Sequence, residues 1–422
     1  MAIQALPRQA AVIRHKKYLH RKAFGPMSTP VPGIRLSAVA AGIRYRDRDD
    51  LVLIELAGGG TAAAVFTRNA FCAAPVTVAR EHLAATAPHY LLINSGNANA
   101  GTGRDGLRAT RETCRLLAGA AGCAINQVLP FSTGVIGQDL PVDPFAQATP
   151  RLLAGLAADG WERASRAIMT TDTRPKLFSR QCEISGQIIT VTGMAKGAGM
   201  ICPDMATMLA YVATDAAVPA AVLQACLEAA VAPSFNAITV DGDTSTNDAC
   251  VLLASGASGV VVDDLGSAAG RRLAETVTAV CMDLAQAIIR DGEGATKLVR
   301  VRVDEARGVA EARQVAYTVA HSPLVKTALF ASDPNWGRIL AAVGRAGLDG
   351  LDIEQVRIWL DDVLIVSNGG RDPGYTEAAG QAVLSRGEFE IRIALGRGAA
   401  TTTVLTCDLS FDYVKINAEY RT

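Results

Sequence analysis

The stretch Lys196-Gly197-Ala198-Gly199-Met200-Ile201-Cys202-Pro203-Asp204-Met205-Ala206-Thr207-Met208-Leu209-Ala210-Tyr211 constrains this chain more than any other. A Gly-rich, conformationally permissive loop runs straight into a Thr that opens an apolar run. A Gly-rich loop before a strand ordinarily serves as a turn. A second reading is chemical. Thr is a poor nucleophile unless something takes its proton, and a Thr that begins a chain can use its own α-amine as the base. Thr207 lies near the middle of 422 residues, so only internal cleavage at Ala206–Thr207 could expose that amine. The products would be residues 1–206 and 207–422. Spacing alone leaves both readings open.

Composition narrows the class. Half of the residues are hydrophobic and 19% are charged, a globular and soluble balance. The length supports one or two domains with a large core. Lys+Arg and Asp+Glu are equal at 41 each, which argues against a dedicated nucleic-acid binder. No apolar run approaches the roughly 18 residues of a membrane span. The nine Cys are dispersed, with no C-x-x-C pair, so they form neither a zinc pattern nor a disulfide framework and suggest a reducing compartment. Cys202 lies in the Gly-rich loop and reads as a small loop residue, because no His is near it in sequence. The first 46 residues contain no Asp or Glu but include Arg8, Arg14, Lys16, Lys17, Arg21 and Lys22. A basic bacterial extension over residues 1–31 in a cytoplasmic protein is the preferred reading. A mitochondrial transit peptide is the alternative, weakened by the scarcity of Ser.

Strand and helix patterns alternate along the chain, which argues for an α/β class. Strands are expected at Leu51–Leu56, Thr61–Phe66, Tyr90–Ile93, Lys176–Glu183, Gln187–Thr192 and Met208–Val212. Ser185-Gly186 supplies a hairpin turn. Helices are expected at Arg108–Ala120, Ala217–Ala230, Ser267–Ile289 and Trp336–Ala346. Leu273, Val277, Val280 and Leu284 form one apolar face of the third. Strands at Val299–Val303, Val356–Leu360, Leu364–Val366, Phe389–Leu395 and Thr401–Leu405 make the second half a smaller α/β unit. Alternation by itself suggests a parallel sheet.

Further segments stand beside the Thr207 loop: NSGNANAGTG (Asn94 to Gly103), FSTGVIG (Phe131 to Gly137), MTTDT (Met169 to Thr173) and SFNAITVDGDTSTND (Ser234 to Asp248). DGEGATK (Asp291 to Lys297), DPNWGRI (Asp333 to Ile339) and DYVKINAEYRT (Asp412 to Thr422) follow. Together with KGAGMICPDMATML, these eight ordered motifs resemble the ornithine acetyltransferase family, the glutamate N-acetyltransferases of arginine biosynthesis. The resemblance runs from about Pro32 to the last residue. It implies a layered α/β sandwich of the self-processing N-terminal-threonine type, in place of a simple parallel sheet. It also implies an alpha chain over residues 32–206 and a beta chain over 207–422. Residues 207–295 would complete the main domain, and 296–422 would form the C-terminal unit.

The same resemblance assigns roles. Self-cleavage would begin with attack of Thr207 Oγ on the Ala206 carbonyl, an N-to-O acyl shift that water then resolves. Gly197 and Gly199 supply backbone freedom nearby. The freed Thr207 amine suits a general base, since an α-amine ordinarily titrates at about 7.7–8.0. Thr207 would then take acetyl from N-acetylornithine and pass it to glutamate by ping-pong kinetics. Thr133 and Gly134 match the oxyanion-hole positions. Lys196 matches a Lys that binds the substrate α-carboxylate, and Glu293 a carboxylate that binds its amine or side chain. Thr173, Asn417 and Thr422 match further substrate contacts, so the C-terminal tail would fold back into the site. No bound cofactor or metal is implied. Acetyl-CoA is a candidate co-substrate, on which the sequence does not decide, and an α2β2 assembly is the family's common form. The departures are Cys202, where a basic residue is common, and Ala237, where Arg is frequent.

Other motifs have plainer readings. Asp241, Asp243 and Asp248 lack the spacing of an EF-hand and read as turn-satisfying carboxylates. Asn94 to Gly103 lacks the ending of a P-loop and reads as loop architecture near the oxyanion strand. Trp336 reads as a packed aromatic. The five His (His15, His20, His82, His89, His321) fall outside all eight motifs. A hydrolase with the same nucleophile logic is the competing enzyme class.

Overall fold

Successive side chains of a strand point to opposite faces, which fixes the residues that share a face before any tertiary contact is considered. The computed structural model describes residues 28–56, 58–202 and 208–419. In chain order the elements begin β1 (Ile34–Val39), β2 (Leu51–Leu56), β3 (Thr61–Phe66), α1 (Ala74–Ala85), β4 (Tyr90–Asn97) and α2 (Gly103–Ala121). There follow β5 (Val128–Val135), α3 (Asp143–Ala154), α4 (Trp161–Ala167), β6 (Lys176–Ile184) and β7 (Gln187–Lys196). Next come β8 (Leu209–Thr214), α5 (Ala220–Val231), β9 (Ala249–Ala254) and α6 (Ala268–Arg290). The C-terminal part holds β10 (Leu298–Ala306), α7 (Val309–Ala320), α8 (Pro323–Ala331), α9 (Trp336–Gly344), β11 (Arg357–Leu360) and β12 (Val363–Ser367). It ends with β13 (Gly370–Arg371), α10 (Glu377–Leu384), β14 (Glu388–Ala394), β15 (Ala400–Cys407) and α11 (Phe411–Glu419).

The main body has four layers. One sheet has the order β1-β2-β4-β5 and the other β3-β9-β8-β7-β6. Along β2, Ile54 joins a core that also contains Leu91, Phe131, Met194, Tyr211 and Leu253, so the two sheets face each other. Leu53 points the other way, into a cluster with Val78 of α1, Leu117 of α2 and Phe145 of α3. On the far side, Val191, Val212 and Leu252 pack against Leu223 of α5 and against Leu273, Val277, Val280 and Leu284 of α6. Strands buried on both faces read as continuous apolar runs, as β2, β8 and β9 do.

The parallel sheet suggested by alternation is replaced by mixed sheets. Most neighbours are antiparallel, while β4–β5, β8–β9 and β10–β14 are parallel. Hairpins explain part of this. Ser185 (φ 52°) and Gly186 (φ 78°) are both left-handed, which fits the tight β6–β7 connection. Ser267 caps α6 by accepting the Gly270 amide at 2.9 Å.

The C-terminal sheet, β13-β12-β11-β14-β10-β15, is covered on one side. Val299, Val301 and Val303 of β10 enter a core with α7, α9 and α10, while Arg300 and Arg302 alternate outward to carboxylate partners. Trp336 packs against this core at the start of α9, and Asn335 caps that helix. A parallel bridge between Ile238 and Leu405 joins this unit to the main body.

Several strands extend beyond their sequence-based limits, two of them into the motifs. β4 continues through Asn97 and β7 through Lys196, so part of the NSGNANAG segment is strand and Lys196 sits at a strand end. Thr133 and Gly134 belong to β5, paired irregularly with Ser95–Asn97.

Candidate active site

β7 and β8 are antiparallel partners, with Lys196 opposite Leu209, so the Gly-rich segment is the connection between them. Its described part is stitched to the neighbouring segment at Val240 and Asp241. Asp241 accepts the Met200 and Ile201 amides at 2.6 and 2.9 Å, and Ile201 O accepts the Val240 amide at 2.9 Å. Met200 is left-handed at φ 54°, a conformation those paired amides hold in place. A Cβ on Gly199 would lie 2.5 Å from the Glu293 carboxyl carbon, so a side chain there would have to displace that carboxylate from its place in the cavity wall.

This connection borders a cavity of about 200 Å³. Thr133, Gly134, Lys196, Glu293 and Asn417 all line it, together with Thr170, Thr171, Asp241, Asp243, Asn247 and Tyr413. That volume is below the roughly 300–1,000 Å³ of pockets for drug-sized ligands and suits a single amino-acid derivative. Ala206, Thr207 and Thr422 lie outside the described residues, as does most of the basic N-terminal extension.

Gly134 has φ 135°, and a Cβ there would lie 2.2 Å from the Gly96 carbonyl carbon. The close approach of β5 to the end of β4 therefore requires glycine. Lys196 is a buried cation in the cavity wall. Burial pulls its pKa down; Asp172, Asp248 and Glu293 oppose that shift, and Lys176 adds to it.

Beneath Lys196 lies a buried ionic cluster. Lys176 Nζ bonds Asp172 at 2.6 Å and Asp291 at 2.7 Å, and Asp172 also accepts the Gly197 amide at 2.7 Å. Burial works against ionisation of Asp172, but Lys176, Lys196 and the Gly197 amide outweigh it, so its pKa falls below the usual range. Thr173 belongs to this cluster. Its amide and hydroxyl both donate to Asp291, and its neighbours Thr170 and Thr171, not Thr173, line the cavity.

The last helix of the described residues forms another part of the wall. Tyr413 and Asn417, one turn apart on α11, both face the cavity. Tyr413 Oη donates to Asp241 at 3.3 Å, and Asn417 Nδ2 donates to Glu293 at 2.8 Å. Gly294 makes that docking feasible, since a Cβ there would lie 2.5 Å from the Tyr413 amide nitrogen. Tyr413 and Asn247 are functional candidates that only the structure singles out. Tyr413 precedes Asn417 by four residues in the same motif, and that spacing is the one signal the sequence offers for it.

The carboxylate-rich loop divides by role. Asp241 and Asp248 accept backbone amides, and Asp241 and Asp243 both line the cavity. Cys202 does have a histidine beside it in space: His321 Nε2 lies 3.8 Å from its Sγ and 3.0 Å from Thr239 Oγ1. Burial lowers the His321 pKa, as do the cations Lys326 and Arg345. The separation of 119 residues hides this pair from any local reading of the sequence.

The site thus combines a strand-held hydroxyl and amide, a buried ammonium and a carboxylate in one small polar cavity. The chain is 61% identical to the arginine biosynthesis bifunctional protein ArgJ of Methylococcus capsulatus over 393 residues, covering 93% of this chain and 96% of that one. It is 56% identical to the protein of the same name from Psychrobacter arcticus, covering 93% and 97%. A crystal structure of the Bacillus halodurans arginine biosynthesis bifunctional protein argJ is 38% identical over 50% of this chain and 98% of that chain, with a TM-score of 0.48. The ArgJ family model matches residues 35–422, and the chain belongs to the ArgJ family.

Proposed function

We propose that this protein is a self-cleaving acetyltransferase of arginine biosynthesis that moves acetyl from N-acetylornithine to glutamate through an acetyl-Thr207 intermediate. The observation that carries the reading is convergence. Thr133 and Gly134 share one motif, Lys196, Glu293 and Asn417 come from three others, and all five line one cavity of about 200 Å³. Membership of the ArgJ family, whose relatives are named for arginine biosynthesis, supports the same reaction.

In this reading Thr207 first attacks the Ala206 carbonyl, and hydrolysis of the resulting ester leaves an alpha chain (32–206 with its extension) and a beta chain (207–422). The freed α-amine takes the Thr207 hydroxyl proton as Oγ attacks the acetyl carbonyl. The oxyanion forms against the Thr133 hydroxyl and the Gly134 amide. Its collapse breaks the C–N bond, and the amine returns the proton to the departing ornithine nitrogen. Glutamate then attacks the acetyl ester, giving N-acetylglutamate. Lys196 faces the α-carboxylate shared by both substrates. Glu293 receives the substrate amine, with Asn417 holding it. Thr173 steadies Asp291 beneath the site, and Thr422 would be a further substrate contact. Acetyl-CoA would serve as a second acetyl donor, consistent with relatives named bifunctional. The assembly would be α2β2 in the cytoplasm, with no metal.

Intact mass spectrometry under denaturing conditions, beside a Thr207→Ala control, tests this reading. Two species breaking at Ala206/Thr207 in the wild type and one chain in the variant are expected. A single uncleaved chain in active protein would remove the amine base and overturn the mechanism.

A further inference from the structure

The proposed reaction centre is split between two sheets. Thr133 and Gly134 lie on β5 of the four-stranded sheet, and the chain at Met208 leads into β8 of the five-stranded sheet. These sheets meet through an apolar core. Apolar contact is non-directional and tolerates small sliding. An oxyanion hole does not, because its donors must lie about 2.7–3.1 Å from the developing charge.

Two adjacent side chains just ahead of β9 bridge the gap. Asn247 Nδ2 donates to Ser132 O at 2.9 Å and to Ala98 O at 2.7 Å. Ser132 immediately precedes Thr133, and Ala98 lines the cavity. Both amide protons of Asn247 are thereby used. Its Oδ1 accepts the Thr246 hydroxyl at 2.6 Å, so the orientation of the amide is determined. The next residue, Asp248, accepts the Met208 amide on Oδ1 at 2.9 Å, and Met208 O accepts the Ala249 amide at 3.2 Å. Asn247 is 6% exposed and Asp248 1%, so water cannot substitute readily for either set of bonds.

We infer that Asn247 and Asp248 are positioning residues that together set the separation between the chain at Met208 and the oxyanion donors at Thr133–Gly134. One peptide unit links the two side chains, so a shift of either sheet against the other must break a directional bond at Ser132, Ala98 or Met208. The inference rests on the reading that Thr207, the residue before Met208, is the nucleophile.

The test compares Asn247→Ala, Asp248→Ala and Asp248→Asn with the wild type, and with Thr207→Ala as control. The readouts are kcat and KM for N-acetylornithine with glutamate, normalised to the cleaved fraction by intact mass, together with the melting temperature. Asp248→Asn keeps an oxygen acceptor for the Met208 amide, so that variant should stay within about threefold of wild-type kcat. Asn247→Ala and Asp248→Ala should lose about 100-fold in kcat, the scale of a 1 Å misplacement. Their KM should hold within about threefold, because Lys196 and Glu293 are untouched. Wild-type kcat in Asn247→Ala, or a loss carried by KM, overturns the inference. Equal damage from Asp248→Asn and Asp248→Ala also overturns it, since charge rather than position would then matter. If Asp248→Ala does not fold, Asn247→Ala and Asp248→Asn decide the matter. An active Thr207→Ala protein would sink the underlying reading instead. An inactive one beside a fully active Asn247→Ala would sink this inference alone.

Discussion

Asn417, on the last helix, donates a hydrogen bond to Glu293 at 2.8 Å across 124 residues of chain. The bond joins α11 to the turn that follows α6, with Gly294 leaving room for the helix to approach. A chain end that would ordinarily fray is thereby made one wall of the cavity. Asn417→Ala removes the donor and leaves Glu293 free to rotate. The expected result is a rise in KM for N-acetylornithine of about fivefold to tenfold, the scale of one net hydrogen bond, with little change in kcat. Steady-state kinetics with each substrate varied in turn would check it.

Gly134 is expected to tolerate no side chain. Gly134→Ala combines φ 135° with a Cβ 2.2 Å from the Gly96 carbonyl carbon. Backbone strain of this kind costs of order 1–3 kcal/mol before the clash is added. The variant should melt lower and release ornithine in a single turnover about 100- to 1,000-fold more slowly, as for the loss of an oxyanion donor. Thermal melting and rapid-quench assays would measure the two effects. Wild-type turnover in a stably folded variant would remove Gly134 from the oxyanion hole.

Lys196 should impose an alkaline limit on substrate binding. Burial lowers its pKa below the usual lysine value, so raising the pH discharges it earlier than an exposed lysine. KM should therefore rise with pH at a point below about 10.4. Lys196→Met should raise KM by roughly 10- to 100-fold at neutral pH, the scale of a charge-assisted hydrogen bond. Lys196→Arg should abolish the alkaline rise, because guanidinium stays charged. A KM–pH profile unchanged in Lys196→Arg would contradict the assignment.

Asp172 should contribute to acid sensitivity. Its folded-state pKa is lowered, so the stability it contributes is fully present above its unfolded value near 3.9. That contribution is lost as the pH falls from there through the lower folded value. Asp172→Asn should lose about 3–5 kcal/mol near neutrality, the usual cost of breaking a buried ion pair. It should also show a shallower fall in melting temperature below pH 4. A variant with the wild-type acid slope would place that sensitivity elsewhere.

Local periodicity makes much of the framework legible. β2 and β3 have the ends their composition indicates, and Leu273, Val277, Val280 and Leu284 form the buried stripe of α6. Elements with weaker local signals escape it, including β1, β9 and α11. The motifs name the candidate residues, and all of those within the described chain lie at the cavity or, for Thr173, in the ionic cluster beneath it.

What the sequence determined by itself was which residues alternate, which must be glycine, and which chemistry stands ready in each motif. These are short-range properties, set by side-chain period and backbone sterics over a few positions. Tertiary structure alone decided which sheets face each other, that His321 stands beside Cys202, and that Asn247 and Asp248 reach across to separate sheets. Those relationships depend on through-space distances of about 3–4 Å between residues tens to more than a hundred positions apart. No local pattern encodes such a distance, because it follows from how all the layers pack at once.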